Sequence, residues 1–233
     1  MDILFPTWVN FNNTSVNADI HIFRLAVSEH LSKLSVYKKI LSSEELLRSS
    51  RFYKAEDRER YIICRGALKQ LLGQYLQTLP ERIEIILDKN KKPVLKDRLQ
   101  LHFNVSHSRG SIALAFSDNN IGIDVEYIDN NFDYKPIAKA CFAMAEMDCL
   151  RESCNAAEEF FKLWTRKEAF LKANGKGLND DMNQLNCLGE LHEKQIAAPG
   201  YESYRIDSFK IEENYIAAVA YNCSREKLRF YTI

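Results

Sequence analysis

The sequence predicts an α+β fold made of two similar halves, residues 1–117 and 118–233. Strands with alternating apolar residues precede and follow amphipathic helices in each half, so a β, α, β order occurs twice. The chain has 233 residues and is 46% hydrophobic, which is enough to fill one large domain or two small ones. No residue-level repeat and no linker rich in proline, glycine or serine is visible, so the division depends on the order of elements.

The first half begins with β-rich sequence, in which apolar and polar residues alternate over Asp19–Leu25. A helical region follows, and Ser42 and Glu45 have the capping-box spacing that marks a helix start near Leu41. A break is expected near residues 54–57. The next helix carries apolar residues three and four positions apart, and a proline lies just beyond its end.

Short strands dominate the middle of the chain. They are predicted at RIEIIL, LHFNV, SIALAF and IGIDVEYI, with a turn at DKNKKP between the first two. A helical region is expected over residues 135–153 and a well-marked helix over 157–173, which the glycines of NGKGL end with a left-handed cap. The tail returns to strands at YRIDSFKI, YIAAVAY and KLRFYTI.

Charge and cysteine usage exclude several classes of protein. Lysine plus arginine and aspartate plus glutamate both number 32, so the net charge of zero argues against nucleic-acid binding driven by bulk charge. The six cysteines show no C-x-x-C pair and no framework spacing, which favours reduced thiols in the cytoplasm. No signal-peptide pattern and no apolar run near the ~20 residues of a membrane span occurs, so we expect no membrane partner.

The strand IGIDVEYI contains two acids. Side chains alternate along a strand, so Asp124 and Glu126 share a face with Gly122, while isoleucine, valine and tyrosine occupy the other. Neighbouring like charges repel and acids are poor strand formers, so the pair costs stability unless something positive lies between them. A bound divalent cation would remove that cost.

A third acid lies on the helix FFKLWTRKEAFLKANGKG. The spacing of Phe161, Trp164 and Glu168 places Glu168 along the edge of the apolar stripe, where it faces inward or lines a cleft. Lys172 follows one turn later, and a surface ion pair worth about 0.3–0.5 kcal/mol would explain both residues. Together with the two strand acids, however, Glu168 completes a set of three carboxylates that suits Mg²⁺.

The segment FNVSHSRG, residues 103–110, is predicted as a strand end running into a polar turn. Ser106, His107 and their backbone amides would bind a phosphate there, or the serines would simply cap their own backbone. Arg60, in EDRERY, and Lys92, in KNKKP, are candidate phosphate ligands or plain solvated charges.

These motifs together resemble the 4'-phosphopantetheinyl transferases of the surfactin-synthetase-activating type. The markers are RFYKAEDRERY, the K-P of NKKP, FNVSHS, IGIDVE and FFKLWTRKEAFLKANGKGL. The resemblance covers most of residues 40–180. The last two motifs, in this order and some forty residues apart, are the most specific, whereas both ends of the chain add little.

The resemblance implies an activity. Members of the family transfer the 4'-phosphopantetheine arm of coenzyme A to a serine of an acyl or peptidyl carrier protein and release adenosine 3',5'-bisphosphate. It also implies two halves related by a pseudo-twofold axis, with the active site between them and the metal ligands in residues 118–233.

The resemblance further implies a role for each candidate residue. Mg²⁺ would be held by Asp124, Glu126 and Glu168, and Glu168 would also accept the proton of the carrier serine. Lys172 would neutralise the phosphates and the leaving group. The 3'-phosphate and neighbouring groups of coenzyme A would be bound by Arg60, Lys92, Ser106 and His107. Lys167 matches the W-x-x-K-E signature of the family and is grouped with these coenzyme A-binding residues.

One departure from the family concerns the nucleotide end of the site. The family often has G-K-P where this chain has Lys91-Lys92-Pro93. Loss of the glycine would restrict close backbone approach to the nucleotide, and the added charge would offer another phosphate contact. Residues 129–157, with Phe132, Phe142 and Met144 as exposed apolar candidates, would dock the carrier, although core packing explains them equally.

Three other interpretations are open at this point. The chain could be the short trimeric synthase type of the same superfamily, but 233 residues in two halves favour a monomer. A Mg²⁺-dependent phosphohydrolase acting on coenzyme A or nucleotides would also use a carboxylate cluster. A non-catalytic module that binds coenzyme A or carriers would keep FNVSHS without needing all three acids.

Overall fold

The structure is a computed structural model that describes residues 3–11, 19–97, 100–175, 182–188, 204–221 and 227–233. Within these ranges the helices are α1 (Val27–His30), α2 (Leu34–Ile40), α3 (Ser43–Ser50), α4 (Ala55–Tyr75), α5 (Lys135–Cys141), α6 (Met144–Glu152) and α7 (Ala156–Asn174). The strands are β1 (Val9–Asn10), β2 (Ile20–Ala26), β3 (Ile85–Leu87), β4 (Pro93–Leu95), β5 (His102–Ser108), β6 (Ser111–Ser117), β7 (Ile121–Tyr127), β8 (Arg205–Glu212), β9 (Tyr215–Tyr221) and β10 (Leu228–Thr232). The predicted α+β class is confirmed.

Two sheets pack face to face between layers of helices. The larger sheet has the strand order β1-β10-β2-β6-β5, and the smaller has the order β7-β9-β8. Apolar side chains from both sheets form one buried cluster, in which Ile22 and Ala115 of the larger sheet join Ile123 and Val219 of the smaller. Helices α2 and α4 cover the outer face of the larger sheet, and α7 covers that of the smaller.

The local signals for helix ends are confirmed. Ser42 N–H donates to Glu45 Oε2 at 2.8 Å and Glu45 N–H donates to Ser42 Oγ at 3.2 Å, so the capping box begins α3. Gly175 ends α7 with a φ of +73°, in the left-handed region that glycine adopts without strain. The rest of the NGKGL segment lies outside the described residues.

Three elements differ from the predictions. Residues 27–40 form α1 and α2, although no helix was predicted before Leu41, because helices of 4 and 7 residues are too short to show a periodic pattern. The helical region 135–153 is interrupted at Phe142 and Ala143, both extended, which separate α5 from α6. Strand β4 pairs with β3 across the predicted turn and was not expected.

The segment Ser106–Ser108 is not a turn. It forms the end of β5, which pairs along its length with β6, so its side chains alternate between faces. Both turn interpretations of this segment, as a phosphate loop and as a self-capped turn, are therefore wrong about the backbone. Hydrogen bonds to β7, described below, explain why polar residues continue the strand.

Strand β10 joins the two predicted halves. It comes from the end of the chain but lies in the larger sheet, parallel to both β1 and β2. The division between residues 117 and 118 and the pseudo-twofold relation stay predictions. Among the described residues, no helix has the length and apolar character needed to cross a bilayer.

Candidate active site

Gly122 fixes the distance between the two elements that carry the acids. A Cβ at this position would lie 2.0 Å from Ala169 O and 2.4 Å from Ala173 N, so only glycine lets the backbone of α7 approach β7 this closely. Gly122 shares its face of β7 with Asp124 and Glu126. The same face is therefore directed towards α7, which carries the third acid.

A cavity of about 410 Å³ lies where β5, β7, α4 and α7 meet. Six of the predicted site residues line it: Ser106, His107, Asp124, Glu126, Glu168 and Lys172. The structure thus brings together, from β7 and α7, both predicted catalytic residues and all three predicted metal ligands.

Asp124 is almost completely buried and has two partners on one oxygen. Its Oδ1 accepts from Lys172 Nζ at 2.6 Å and from Ser106 Oγ at 2.8 Å. Lys172 is paired with Asp124 and not, as the surface interpretation expected, with Glu168. The other oxygen, Oδ2, is buried and has no hydrogen-bond partner among the described residues. A buried carboxylate oxygen without a donor is costly, so it needs a cation or a water.

The two glutamates are half-buried and feel the charge of Asp124. Burial, and then repulsion by Asp124, raise the pKa of Glu126, although Ser108 Oγ at 2.7 Å and the Trp164 indole donate to it. Burial and Asp124 also raise the pKa of Glu168 to about 7, against the opposing charge of Lys172. Three mutually repelling carboxylates are a set that a hard cation stabilises.

These side chains offer oxygen ligands to a divalent cation. In the described part of the chain, no three histidine, cysteine or acidic side chains are arranged so that they could hold a metal ion by themselves. Mg²⁺ does not require such a set, because it commonly takes one or two carboxylates and completes its shell with waters and substrate phosphates. The unpartnered Asp124 Oδ2 and the all-oxygen donor set fit such an ion.

Two predicted nucleotide ligands, His107 and Arg60, lie close to each other at the end of β5. His107 is exposed, and packing around its ring, followed by the charge of Arg60, lowers its pKa. Arg60 itself does not line the cavity. Its guanidinium donates to Asp57 Oδ1 at 2.5 Å and to Arg109 O at 3.2 Å, which holds it beside the end of β5.

Two further predicted coenzyme A ligands, Lys92 and Lys167, do not line the cavity. Lys92 Nζ donates to Lys172 O at 2.6 Å and to Ile121 O at 3.1 Å, and burial lowers its pKa to about 8. It thereby caps carbonyl groups at the end of α7. Lys167 is completely buried, where it pairs with Glu146 Oε2 at 2.9 Å and donates to two carbonyls of residues 182–188.

Seven cavity residues were not predicted from the sequence, and three of them are aromatic or charged. Tyr61 and Arg65 line the cavity from α4, and Trp164 lines it from α7. The Tyr61 hydroxyl is buried and has no hydrogen-bond partner in the described ranges, and Arg65 Nε lies 3.4 Å from Glu45 Oε1. A tyrosine and an arginine one helical turn apart could have indicated a binding surface on α4, but the same pattern occurs on many solvated helix faces.

Comparison with known proteins agrees with this geometry. The family model described as "4'-phosphopantetheinyl transferase superfamily" matches residues 120–220, and the one described as "4'-phosphopantetheinyl transferase, N-terminal" matches residues 28–119. The 4'-phosphopantetheinyl transferase HetI of Nostoc sp. (strain PCC 7120) is 33% identical over 223 residues, which cover 90% of this chain and 90% of HetI. The chain belongs to the 4'-phosphopantetheinyl transferase superfamily.

Other 4'-phosphopantetheinyl transferases are similar over shorter stretches. Sfp of Bacillus subtilis (strain 168) is 28% identical over 193 residues, or 78% of this chain and 83% of Sfp. AcpT of Escherichia coli (strain K12) is 38% identical over 122 residues, or 51% of this chain and 58% of AcpT. The predicted family and the assignment as an enzyme are thereby confirmed, and the similarity to Sfp is consistent with the surfactin-synthetase-activating type.

The chain departs from the G-K-P pattern at Lys91, whose backbone lies in the left-handed region. Lys91 has a φ of +64°, and its N–H donates to Asp88 O at 3.0 Å. Glycine reaches this conformation without the steric cost that a lysine incurs. The Lys91 side chain is exposed.

Proposed function

We propose that this enzyme transfers the 4'-phosphopantetheine arm of coenzyme A to a serine of an apo acyl or peptidyl carrier protein, with Mg²⁺, and releases adenosine 3',5'-bisphosphate. The observation that carries the proposal is one cavity lined by Asp124, Glu126, Glu168 and Lys172 in a chain of this family. Phosphoryl transfer needs charge neutralised on the transferred group and the leaving oxygen, with a base near the nucleophile. These residue types supply each part.

The metal ligands would be Asp124, Glu126 and Glu168. When bound, Mg²⁺ would neutralise charge on the coenzyme A pyrophosphate. The chain's own contribution is to hold Asp124 between Ser106 and Lys172, with Oδ2 left for the ion.

Glu168 would also accept the proton of the carrier serine. A pKa raised to about 7 supports this role, because a base with a pKa near the working pH is both available and able to bind a proton. Lys172 Nζ, 2.6 Å from Asp124, would stabilise negative charge on the phosphates and the leaving group.

His107 and Arg60 would recognise the 3'-phosphate. We keep neither Lys92 nor Lys167 in this role, because backbone carbonyls and Glu146 already take up their ammonium groups. The Ser106 hydroxyl is likewise engaged with Asp124.

This assignment predicts a selective loss of affinity. His107→Ala and Arg60→Ala should each weaken the binding of coenzyme A about ten-fold or more, because charge-assisted hydrogen bonds contribute on the order of 1.5–3 kcal/mol. Neither change should much affect the binding of 3'-dephospho-coenzyme A. Calorimetry with both ligands measures the difference. Arg58→Ala, an exposed charge on the same helix, serves as the control. If the binding of both ligands is weakened equally, these residues do not recognise the 3'-phosphate.

Mass spectrometry of apo carriers tests the transfer itself. Incubated with the enzyme, coenzyme A and Mg²⁺, a carrier should gain the mass of one phosphopantetheine arm, and chelation of the metal should abolish the gain. Fatty-acid, polyketide and peptide carriers tested side by side would identify the substrate. Carriers that keep their mass under all conditions would contradict the proposal.

The same experiment separates the two alternatives. A Mg²⁺-dependent phosphohydrolase would consume coenzyme A without any carrier, whereas the proposed transferase requires one. A non-catalytic module would bind coenzyme A and leave both compounds unchanged.

The carrier would dock beside the cavity on residues 129–157. Phe132 is 41% and Met144 is 81% exposed, so both are available for contact. Phe142 is only 4% exposed and belongs to the core, which corrects its prediction as an exposed residue.

We further propose that the enzyme is a cytoplasmic monomer, consistent with free thiols at the five described cysteines. Light scattering would test the monomer.

A further inference from the structure

Strand β5 presents three polar side chains to β7 on one face. Asn104, Ser106 and Ser108 follow the period of two, yet β5 pairs through its backbone with β6 and β7 pairs with β9. The contact between β5 and β7 is made by side chains. Asn104 Oδ1 accepts from Ile123 N at 2.9 Å, and each serine reaches one of the two β7 acids.

The groups around the Ser108 hydroxyl determine where its proton is donated. Ser108 Oγ accepts from the Tyr127 N–H at 3.1 Å, a group that only donates. The single hydroxyl proton is therefore free to be donated to Glu126 Oε2, 2.7 Å away. Ser108 thus binds the backbone of β7 and a side chain of β7 at the same time.

Ser106 is arranged in the same way. Lys172 Nζ, which only donates, lies 3.1 Å from Ser106 Oγ, so the hydroxyl proton is donated to Asp124 Oδ1 at 2.8 Å. Both acids therefore have one oxygen fixed by a β5 serine. On Asp124 the second oxygen is buried and, within the part of the chain that the structure describes, has no partner.

We propose that Ser108 and Ser106 are positioning residues that turn the carboxylates of Glu126 and Asp124 towards the divalent cation. The inference rests on the metal site of the proposed function and adds to it the residues that orient the ligands. Carboxylates that bind metals are themselves held by hydrogen bonds, and loss of such a partner typically weakens metal binding about 10- to 100-fold.

Titration with Mn²⁺ in the absence of coenzyme A tests the proposal. Free Mn²⁺ is measured by electron paramagnetic resonance with the full chain, so the readout does not depend on transfer activity. Ser108→Ala should bind Mn²⁺ about 10- to 100-fold more weakly, and Ser108→Thr, which keeps the hydroxyl, should remain close to wild type. Ser111→Ala is the matched control, because Ser111 is a buried serine directly opposite Ser108 on β6.

Urea unfolding of the same variants without metal separates positioning from folding. A purely structural Ser108 would lower the free energy of unfolding and leave the affinity of the folded protein for Mn²⁺ unchanged, and that result would overturn the inference. Failure of wild type to bind Mn²⁺ would overturn it as well.

The result of the Mn²⁺ titration can be told apart from a success or failure of the proposed transferase function. Weaker Mn²⁺ binding by Ser108→Ala supports the inference even if no carrier is modified, in which case only the transferase proposal fails. Unchanged Mn²⁺ binding in a variant of an enzyme that does modify carriers refutes the positioning role alone.

Discussion

Each charged residue of the cavity has an environment that its neighbours in sequence do not reveal. Glu168 and Lys172 lie one helical turn apart, yet Lys172 pairs with Asp124, 48 residues away, at 2.6 Å. Glu168 is left facing two other acids, and burial with the charge of Asp124 raises its pKa to about 7. This separation of partners is consistent with the proposed role of Glu168 as proton acceptor.

Glu168→Gln tests that role. Glutamine keeps the size and one ligating oxygen but loses the charge and the basicity, so kcat should fall at least about 10²- to 10⁴-fold while coenzyme A still binds. The measurement pairs single-turnover transfer to a carrier with calorimetry of coenzyme A at saturating Mg²⁺. Glu81→Gln, an exposed change outside the cavity and outside residues 129–157, should retain full activity. Near-normal turnover of Glu168→Gln would exclude the general-base role.

The types of the site residues could be predicted from the sequence, but their partners could not. Strand alternation placed Asp124 and Glu126 on one face, and helical spacing placed Glu168 at the edge of an apolar stripe. Lys167 shows the limit. It matches a family signature beside Glu168, yet it is buried against Glu146 and carbonyls of residues 182–188, because these contacts depend on chain segments far away in sequence.

At the scale of elements, the site depends on how closely α7 packs on β7. Ala169 and Ala173 on the helix and Gly122 on the strand allow backbone atoms to meet. Such small-residue contact could not be predicted, since a glycine in a strand pattern indicates several things, among them a bulge and a close approach. Helix ends with caps at Ser42 and Gly175 were predictable, because a cap is a local interaction.

Gly122→Ala should therefore damage both stability and activity. The new Cβ would overlap backbone atoms of α7 that cannot rotate away, so we expect at least about 1–3 kcal/mol of destabilisation and a helix displaced from β7. Glu168 and Lys172 would move with the helix, and carrier modification should fall even at temperatures where the variant is folded.

Urea unfolding and transfer rates measure the two effects of Gly122→Ala. The matched control is Gly110→Ala, because an added Cβ at Gly110 meets no atom within 4 Å. Full activity in a folded Gly122→Ala variant would show that the spacing of α7 and β7 is not critical for the reaction.

On the scale of the whole molecule, the last strand connects the two ends of the chain. Strand β10 lies between β1 and β2, and the inner faces of the two sheets share one apolar cluster. The order of elements predicted two α+β halves, but it contained no sign that a strand from the second half completes the sheet of the first. Such pairing joins residues about 200 positions apart, and local patterns carry no information on it.

Separated halves should therefore be unable to fold alone. Residues 1–117 lack β10 and expose the edge of β2 together with Ile20 and Ile22, while residues 118–233 expose the facing side chains of β7. We expect neither fragment to unfold cooperatively by circular dichroism, and a mixture of both to recover a cooperative transition. A mixture of 1–117 with 118–226, which lacks β10, should recover much less. A monomeric fragment 1–117 with its own cooperative transition would show instead that the first half is an independent domain, and that β10 adds to a sheet that is already stable.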